Sequence, residues 1–315
     1  MGTCVYEETR MMMTDEDWYW VGFSVFPGIG PVRFNLLCQY FGTAKNAWEA
    51  TKTELVETHL PQAIVDAFCS FRASFSLDAY KKALERLHIV ALPKTHPHYP
   101  HLLKEISDAP IVLYVKGKKG EIPIDMTKTI AVVGTRHPTA YGITVTKQIV
   151  SDLVDESCTI VSGMAYGIDA IAHETVVAKH GKTIAVLGCG ADICAPYANY
   201  HIYKKLTEEG YGAIVSEMPI GVRPNKGLFP QRNRIISGLS LATVVIEGAD
   251  DSGTLITARN AAEQGRDVFA VPGPITSKMS QGPAKLIKSG AQVATSSDDI
   301  LSSLGLAKQG ELGEQ

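Results

Sequence analysis

The stretch TIAVVGTRHPTAYG, residues 129–142, decides the fold. Its first five residues form a short, apolar, partly β-branched run without polar alternation, which is typical of a strand buried on both faces of a parallel sheet. The run ends at a glycine, and the residues after it have the pattern of a turn that opens into a helix. This strand, turn and helix order predicts an α/β unit.

The same order recurs along the second half of the chain. Five more apolar runs follow at similar spacing: TIVSG (159–163), TIAVLG (183–188), GAIVSE (212–217), ATVVIEG (242–248) and DVFAVPG (267–273). Stretches with helical periodicity separate them, so the sequence predicts a doubly wound α/β domain with a mostly parallel sheet. In such a domain, ligands bind beyond the carboxyl ends of the strands.

The first ninety residues differ from this pattern. They carry apolar residues at helical spacing, as in VRFNLLCQYFG (32–42) and LDAYKKALERLHI (77–89), and predict a small all-helical domain. The segment FPGIGPVRFNLL (26–37) resembles a helix-hairpin-helix, whose glycine turn can offer N–H groups to a phosphate; a purely structural turn is the alternative. We therefore expect a helical domain over 1–90, an α/β domain over 91–305 and a tail over 306–315.

Composition limits the class of protein. The chain has 315 residues, 45% hydrophobic and 20% charged, with a net charge of −3, which predicts a folded protein rather than a generally basic nucleic-acid-coating one. An acidic N-terminus and the lack of a long apolar run favour a cytoplasmic protein without a membrane span. Six cysteines without a CxxC pair predict reduced thiols and no structural metal.

Local charge is more informative than the sum. Between Glu217 and Glu247 the sequence has no acidic residue. That window contains four basic residues: Arg223, Lys226, Arg232 and Arg234. Uncompensated cations in a slightly acidic protein indicate an anionic partner, and a solvated surface face is the alternative.

Polar and small residues follow the predicted strands, where ligands are expected. They are Gly134, Thr135 and Arg136 after the first strand, Ser162 and Gly163 after the second, and Ser252, Gly253 and Thr254 after the fifth. Each group precedes a predicted helix, whose N-terminal N–H groups and dipole favour an anion. Ser252 to Thr254 lie where an N-cap and a phosphate nest would be.

The segment LFPQRNRIISGLS (228–240) places Arg232 and Arg234 beside an apolar run. We expect both arginines at the start of a helix on the strand-end face, where they converge with Arg136 and Lys226. Many phosphate sites fit a polymer better than a mononucleotide, and Phe229 offers a face for base stacking, with a core aromatic as its alternative.

Cofactor and catalytic signals are weak. The turn after residue 133 is not the GxGxxG fingerprint, which disfavours NAD and FAD. Asp169 and His173 are four apart on a predicted helix and could form an acid–base pair, but a helix-dipole role for Asp169 is the simpler interpretation. HPHYPH (96–101) reads as an extended connector rather than a metal site. We predict no catalytic residues, no cofactor and no metal.

Taken together, several motifs resemble the DNA-processing protein A family, also called Smf or DprA. They run in order over about residues 90–300: VVGTRHPTAYG, SGMAYGIDAIAHE, TIAVLGCGAD, FPQRNRIISGLS, SGTLITARNAAEQGRDVFAVPG and QGPAKLIKSGA. The resemblance implies an extended Rossmann-like fold behind a helical (SAM-like) domain, and a homodimer. It also implies single-stranded DNA binding that protects incoming DNA, and loading of the RecA recombinase during natural transformation.

The resemblance carries over residue by residue. It implies phosphate contact by Gly134, Thr135 and Arg136, and places Arg232, Asn233 and Arg234, with Phe229 and Lys226, in the basic segment. It sets Ser252, Gly253 and Thr254 beside the same pocket.

Two departures from the family pattern matter. A late motif reads Pro283-Ala284-Lys285 in place of the usual Thr-Asn, so we assign no site there. The short tail after residue 305 leaves no room for the winged-helix domain of many relatives. Two alternatives remain. One is a phosphoribohydrolase-type enzyme, although this sequence lacks the signature glutamate of such enzymes at the matching place. The other is a recombinase adaptor that does not bind DNA.

Overall fold

The computed structural model describes residues 13–120, 127–225 and 227–307. The chain divides into two compact units. The first comprises Met1–Ile124 and Ala185–Arg232, and the second comprises Asp125–Ile184 and Asn233–Gln315.

The described residues form nine strands. They are β1 (Val90–Pro93), β2 (Val112–Gly117), β3 (Thr129–Val133), β4 (Thr159–Ser162), β5 (Thr183–Leu187), β6 (Gly212–Ser216), β7 (Ala242–Val245), β8 (Asp267–Ala270) and β9 (Gln292–Val293). The six strands predicted from the sequence are confirmed as β3 to β8. β1, β2 and β9 were not predicted.

The same residues form fourteen α-helices. The first seven are α1 (Asp15–Val25), α2 (Pro31–Phe41), α3 (Ala44–Glu49), α4 (Lys52–Glu57), α5 (Gln62–Ser74), α6 (Leu77–Arg86) and α7 (His101–Lys104). The rest are α8 (Ala140–Asp155), α9 (Ile168–Ala178), α10 (Tyr200–Lys204), α11 (Leu228–Gly238), α12 (Thr254–Glu263), α13 (Gln281–Lys288) and α14 (Ser297–Ser303).

The first unit begins with helices α1 to α6, which confirms the predicted all-helical character of this region. Capping boxes start two of them, because Thr14 and Thr51 each exchange hydrogen bonds with an acidic residue three positions on. The core of the region is aromatic: Phe23 stacks on Phe68 at 5.1 Å between ring centroids and meets Trp48 edge to face.

Strands complete the first unit. The order is β1-β2-β6-β5, and β2 pairs antiparallel with both β1 and β6. The helices reach this layer through polar contacts as well as packing: the hydroxyls of Ser24 and the fully buried Tyr114 are 2.6 Å apart. Neither β1 nor β2 was predicted, because both precede the alternation of strands and helices that begins at residue 129.

The second unit is a parallel sheet with the order β4-β3-β7-β8-β9. Its core is mainly aliphatic, with one phenylalanine: Ile130, Val132, Ile160 and Phe269 are fully buried between the strands and the helices that connect them. Every residue of β3, β4 and β7 is buried, as expected for strands covered on both faces. The α/β fold class is therefore confirmed.

In the parts of the chain that the structure describes, no helix combines the length and apolar character that crossing a bilayer requires.

Candidate nucleic-acid interface

The strand ends of the second unit meet at one edge of its sheet. β3 lies between β4 and β7 with all three strands parallel, so the residues that follow them are neighbours. One backbone bond joins two of these ends directly, because the Thr135 N–H donates to the Glu247 carbonyl at 2.8 Å. This edge is the candidate interface.

The loop after β3 is fixed by its backbone. The Ile168 N–H donates to the Thr135 carbonyl at 3.1 Å, and the His137 N–H donates to the Thr135 hydroxyl at 3.2 Å. Gly167 has a φ of +76°, and a Cβ at that position would collide with the Thr135 carbonyl and the Arg136 backbone. These contacts fix the backbone of the loop, and the Arg136 side chain is exposed to solvent.

The helix that follows this loop already has an anion at its N-terminus. Glu247, which is 2% exposed, accepts the Thr139 N–H at 2.9 Å and the Thr139 hydroxyl at 2.6 Å. Thr139 also caps α8 by accepting the Gly142 N–H, and a Cβ on Gly142 would overlap the Glu247 carboxylate. The anion at this helix end is therefore the protein's own carboxylate. Phosphate contact by Gly134, Thr135 and Arg136 stays a prediction.

Glu247 was not among the predicted site residues. Its signal was available: it is the acidic residue that directly follows the buried run ATVVI, where a carboxylate needs partners. The same carboxylate contributes, after burial, to raising the pKa of Tyr141, whose hydroxyl donates to the Pro272 carbonyl at 2.6 Å. Glu247, which follows β7, thus holds the segment after β3 through its carbonyl and its carboxylate.

The two residues assigned after β4 face inward. Ser162 is fully buried, and its hydroxyl donates to the Val132 carbonyl at 2.7 Å. The Gly163 N–H donates to the buried carboxylate of Asp169 at 3.1 Å, and the Ala165 N–H reaches the same oxygen at 3.4 Å. A phosphate cannot meet the Ser162 hydroxyl in this arrangement, so both residues shape the loop rather than present donors.

The segment after β7 opens α12. Gly253 is the N-cap residue, and the Ser252 hydroxyl accepts the Thr254 N–H at 3.3 Å. The Asn233 side-chain amide donates to the Gly253 carbonyl at 3.4 Å, which brings α11 to the same place. Asn233 and Gly253 are therefore in contact, and a role of Asn233 and residues 252–254 in ligand binding stays a prediction.

Arg232 and Arg234 do not stand at the start of their helix. α11 begins at Leu228, so Arg232 lies in its second turn. The helix can begin before Pro230, because the N–H groups of a first turn need no helical partner. The predicted position of both arginines is wrong by about one turn. The burial predicted for the run after them is confirmed, as Ile235, Ile236 and Leu239 are at most 1% exposed.

The Arg232 side chain is itself buried within the first unit. It is 5% exposed, and its guanidinium donates to the Val186 carbonyl near the end of β5. Burial raises the pKa of the nearby Cys189 thiol to about 11, and the Arg232 charge opposes that rise. Arg232 thus lies at a strand end, as predicted, but anchored to the backbone. Arg234 is half-buried, and its carbonyl accepts from the Gln264 amide at 2.9 Å.

Two predicted contacts cannot be located. Lys226 lies outside the described residues, and for Phe229 only the backbone, inside α11, is described.

Asp169 and His173, considered above as an acid–base pair, each have a hydrogen-bond partner elsewhere in the second unit. Asp169 accepts from backbone N–H groups, whereas the fully buried His173 lies 2.7 Å from the Thr183 hydroxyl through Nδ1. Because that hydroxyl donates to the Ile160 carbonyl, Nδ1 is the donor to Thr183. Within residues 13–120, 127–225 and 227–307, no three His, Cys, Asp or Glu side chains group to hold a metal ion.

Comparison with known proteins follows this geometry. A family model described as DNA recombination-mediator protein A matches residues 91–305. Protein Smf of Synechocystis sp. is 38% identical over 301 residues, which cover 93% of this chain and 74% of that protein.

Two solved structures are also similar. The X-ray structure of DNA processing protein A from Streptococcus pneumoniae matches with a TM-score of 0.76 and 32% identity, over 93% of this chain and 98% of that one. DNA processing protein A from Helicobacter pylori, whose structure was described for its single-stranded DNA binding mode, matches with a TM-score of 0.61 and 28% identity, over 70% and 97%.

Proposed function

The chain belongs to the DNA recombination-mediator protein A family, and from that premise we propose that it binds single-stranded DNA without reading its sequence. The bound strand is protected and handed to the RecA recombinase in natural transformation and recombination. The observation that carries the proposal is the exposed Arg136 on a loop held rigidly at the carboxyl end of β3. An exposed guanidinium on a fixed backbone is suited to a phosphate.

Phosphate contact supplies the affinity in this proposal. Arg136, Arg234 and Lys226 attract the backbone of the strand, and Asn233 with Ser252 to Thr254 add polar donors at the start of α12. Such contacts are independent of sequence and depend strongly on salt, because binding releases counterions. The formal charge of −3 leaves the rest of the surface unattractive to a polyanion, which favours binding at this place.

Base stacking supplies the preference for single strands. Phe229, which precedes the arginines in α11, is proposed to stack on a splayed base, which a paired duplex does not offer. Truncation to alanine is expected to weaken binding by about 1–3 kcal/mol. Unchanged affinity of Phe229→Ala would remove this part of the proposal.

A homodimer would increase avidity. Two copies related by symmetry would bring two such sites to one strand, so the second contact forms at a high effective concentration without new side chains. The recombinase would then meet DNA that is already extended and free of pairing.

The test is a fluorescence-anisotropy titration of single-stranded and duplex oligonucleotides at several salt concentrations. Arg136→Ala is compared with Arg259→Ala, an exposed arginine that pairs with Glu263 at 2.9 Å on α12. We expect preference for the single strand, and a salt slope about one unit smaller for Arg136→Ala but unchanged for Arg259→Ala. A wild-type protein that binds neither oligonucleotide refutes the proposal.

A further inference from the structure

Three tyrosines of the first unit form a ladder of rings that ends in solvent. Tyr203 and Tyr200 are stacked with 6.2 Å between centroids and 14° between planes. Tyr200 and Tyr197 continue the series at 5.5 Å and 23°. We call Tyr197, Tyr200 and Tyr203 the tyrosine ladder.

Burial changes steadily along the ladder. Tyr203 is 7% exposed, Tyr200 is 43% exposed and Tyr197 is 77% exposed. Removing the face of an aromatic ring from water lowers the free energy, and a further ring can do so by stacking on it. Here the outermost ring leaves its apolar surface in water.

The inner end of the ladder is firmly held. The Tyr203 hydroxyl donates to the Ala191 carbonyl at 2.8 Å, and the Lys116 ammonium lies 5.6 Å from the Tyr203 ring centroid. Burial raises the pKa of the Tyr203 hydroxyl above its ordinary value, so it remains a neutral donor. The ring series is thus preorganised, and a ligand that stacks on it orders few side chains.

The ladder begins at a strand end of the first unit. Ala191 belongs to the loop after β5, and the neighbouring Asp192 carboxylate accepts the Gly221 N–H at 3.1 Å, which ties that loop to the one after β6. The second loop carries the exposed Arg223 in the acid-free window. An aromatic face and a cation on adjoining strand-end loops match the two chemical parts of a single strand, a base and a phosphate.

We infer that the tyrosine ladder is a base-stacking platform for single-stranded DNA, in addition to Phe229. This inference rests on the proposed function and extends it. A splayed base stacks on the open face of Tyr197 and continues the ring series. The platform holds bases, whereas the loop after β3 holds phosphates, so their contributions respond differently to the chemistry of the strand.

The test uses that difference. Anisotropy titrations compare a thymidine oligonucleotide with an abasic strand of the same length and charge, for wild type, Tyr197→Ala, Tyr197→Phe and Tyr197→Leu. Tyr40→Ala is the matched control, because Tyr40 is an exposed tyrosine, 53% exposed, outside the ladder. Circular dichroism melts verify that each variant is folded.

We expect Tyr197→Ala to weaken binding of the thymidine strand by about fivefold or more, and not to change binding of the abasic strand. Tyr197→Phe should bind as wild type does, and Tyr197→Leu should resemble Tyr197→Ala, since an aliphatic side chain has no ring to stack. Tyr40→Ala should bind both strands as wild type does.

Other outcomes separate the two ideas. If wild type prefers the thymidine strand and Tyr197→Ala binds it equally well, the platform is wrong and the proposed function stands. If wild type binds no DNA, both fall. If Tyr197→Ala instead changes the sedimentation coefficient of the DNA-free protein, the ladder is a contact between copies of the chain, which also overturns the platform.

Discussion

Replacement of Arg232 by alanine should destabilise the protein rather than only weaken a ligand contact. The side chain is 5% exposed, and its guanidinium donates to the Val186 carbonyl. A hydrogen bond from a charged donor contributes about 1.5–3 kcal/mol, and the buried stem adds about 0.8 kcal/mol for each methylene. The variant no longer buries a charge, which offsets part of these two contributions, so we expect the free energy of unfolding to fall by about 2–4 kcal/mol.

Urea denaturation followed by circular dichroism measures this loss. Arg232→Met retains most of the apolar stem and removes the charge, so its loss should be smaller, at about 1–3 kcal/mol for the carbonyl left unsatisfied. Arg136→Ala is the control, because an exposed side chain should change the free energy of unfolding by no more than about 0.5 kcal/mol.

The contrary result is well defined. If Arg232→Ala unfolds at the same urea concentration as wild type and yet loses affinity for single-stranded DNA, the guanidinium contacts the ligand, and the reasoning from burial is refuted.

Three more outcomes are expected. Glu247→Gln should lower the free energy of unfolding in urea by about 1–2 kcal/mol, because one of the two oxygens that accept from Thr139 becomes a donor; an unchanged value would contradict this. Gly167→Ala should cost about 1 kcal/mol or more at φ +76° and, by displacing Thr135, weaken DNA binding in anisotropy, whereas wild-type affinity would show that the loop tolerates the shift. Hydrogen bonds from the Thr295 N–H and hydroxyl hold the pKa of Asp299 below its ordinary value, so ionised Asp299 stabilises the fold above about pH 4 and this stabilisation is lost as the pH falls through the lower pKa of the folded state. Asp299→Asn should therefore show a weaker fall of Tm in acid than wild type. An identical dependence of Tm on pH would contradict this prediction.

Some features of the proposed interface are predictable from the sequence and others are not. That Gly134 to Arg136 and Ser252 to Thr254 lie at one edge of a sheet follows from two parallel strands and the turns after them, which periodicity reveals. Periodicity does not reveal which hydroxyls and N–H groups at that edge point outward. Ser162 and Thr135 both occur after apolar runs, yet one hydroxyl bonds to a neighbouring strand and the other to its own loop.

For the charged residues Arg232 and Glu247 too, the sequence predicts the surroundings but not the direction of the side chain. The sequence alone identified an acid-free window and the apolar run behind the arginines, because burial of Ile235 and Ile236 is dictated by local pattern. Whether a charge inside that pattern faces a ligand or the protein depends on a partner distant in the chain: the Val186 carbonyl lies 46 positions before Arg232, and Thr139 lies 108 positions before Glu247.

The sequence by itself therefore determined the α/β class, the six central strands, the helical character of residues 15–86 and the edge at which ligands are expected. These features depend on hydrophobic periodicity and turn chemistry, which act over a few residues. Only the tertiary structure decided that Glu247 occupies the α8 N-terminus, that Arg232 is an anchor and that three tyrosines align. Each of these depends on long-range contacts between desolvated groups, whose pairing is set by packing and not by spacing along the chain.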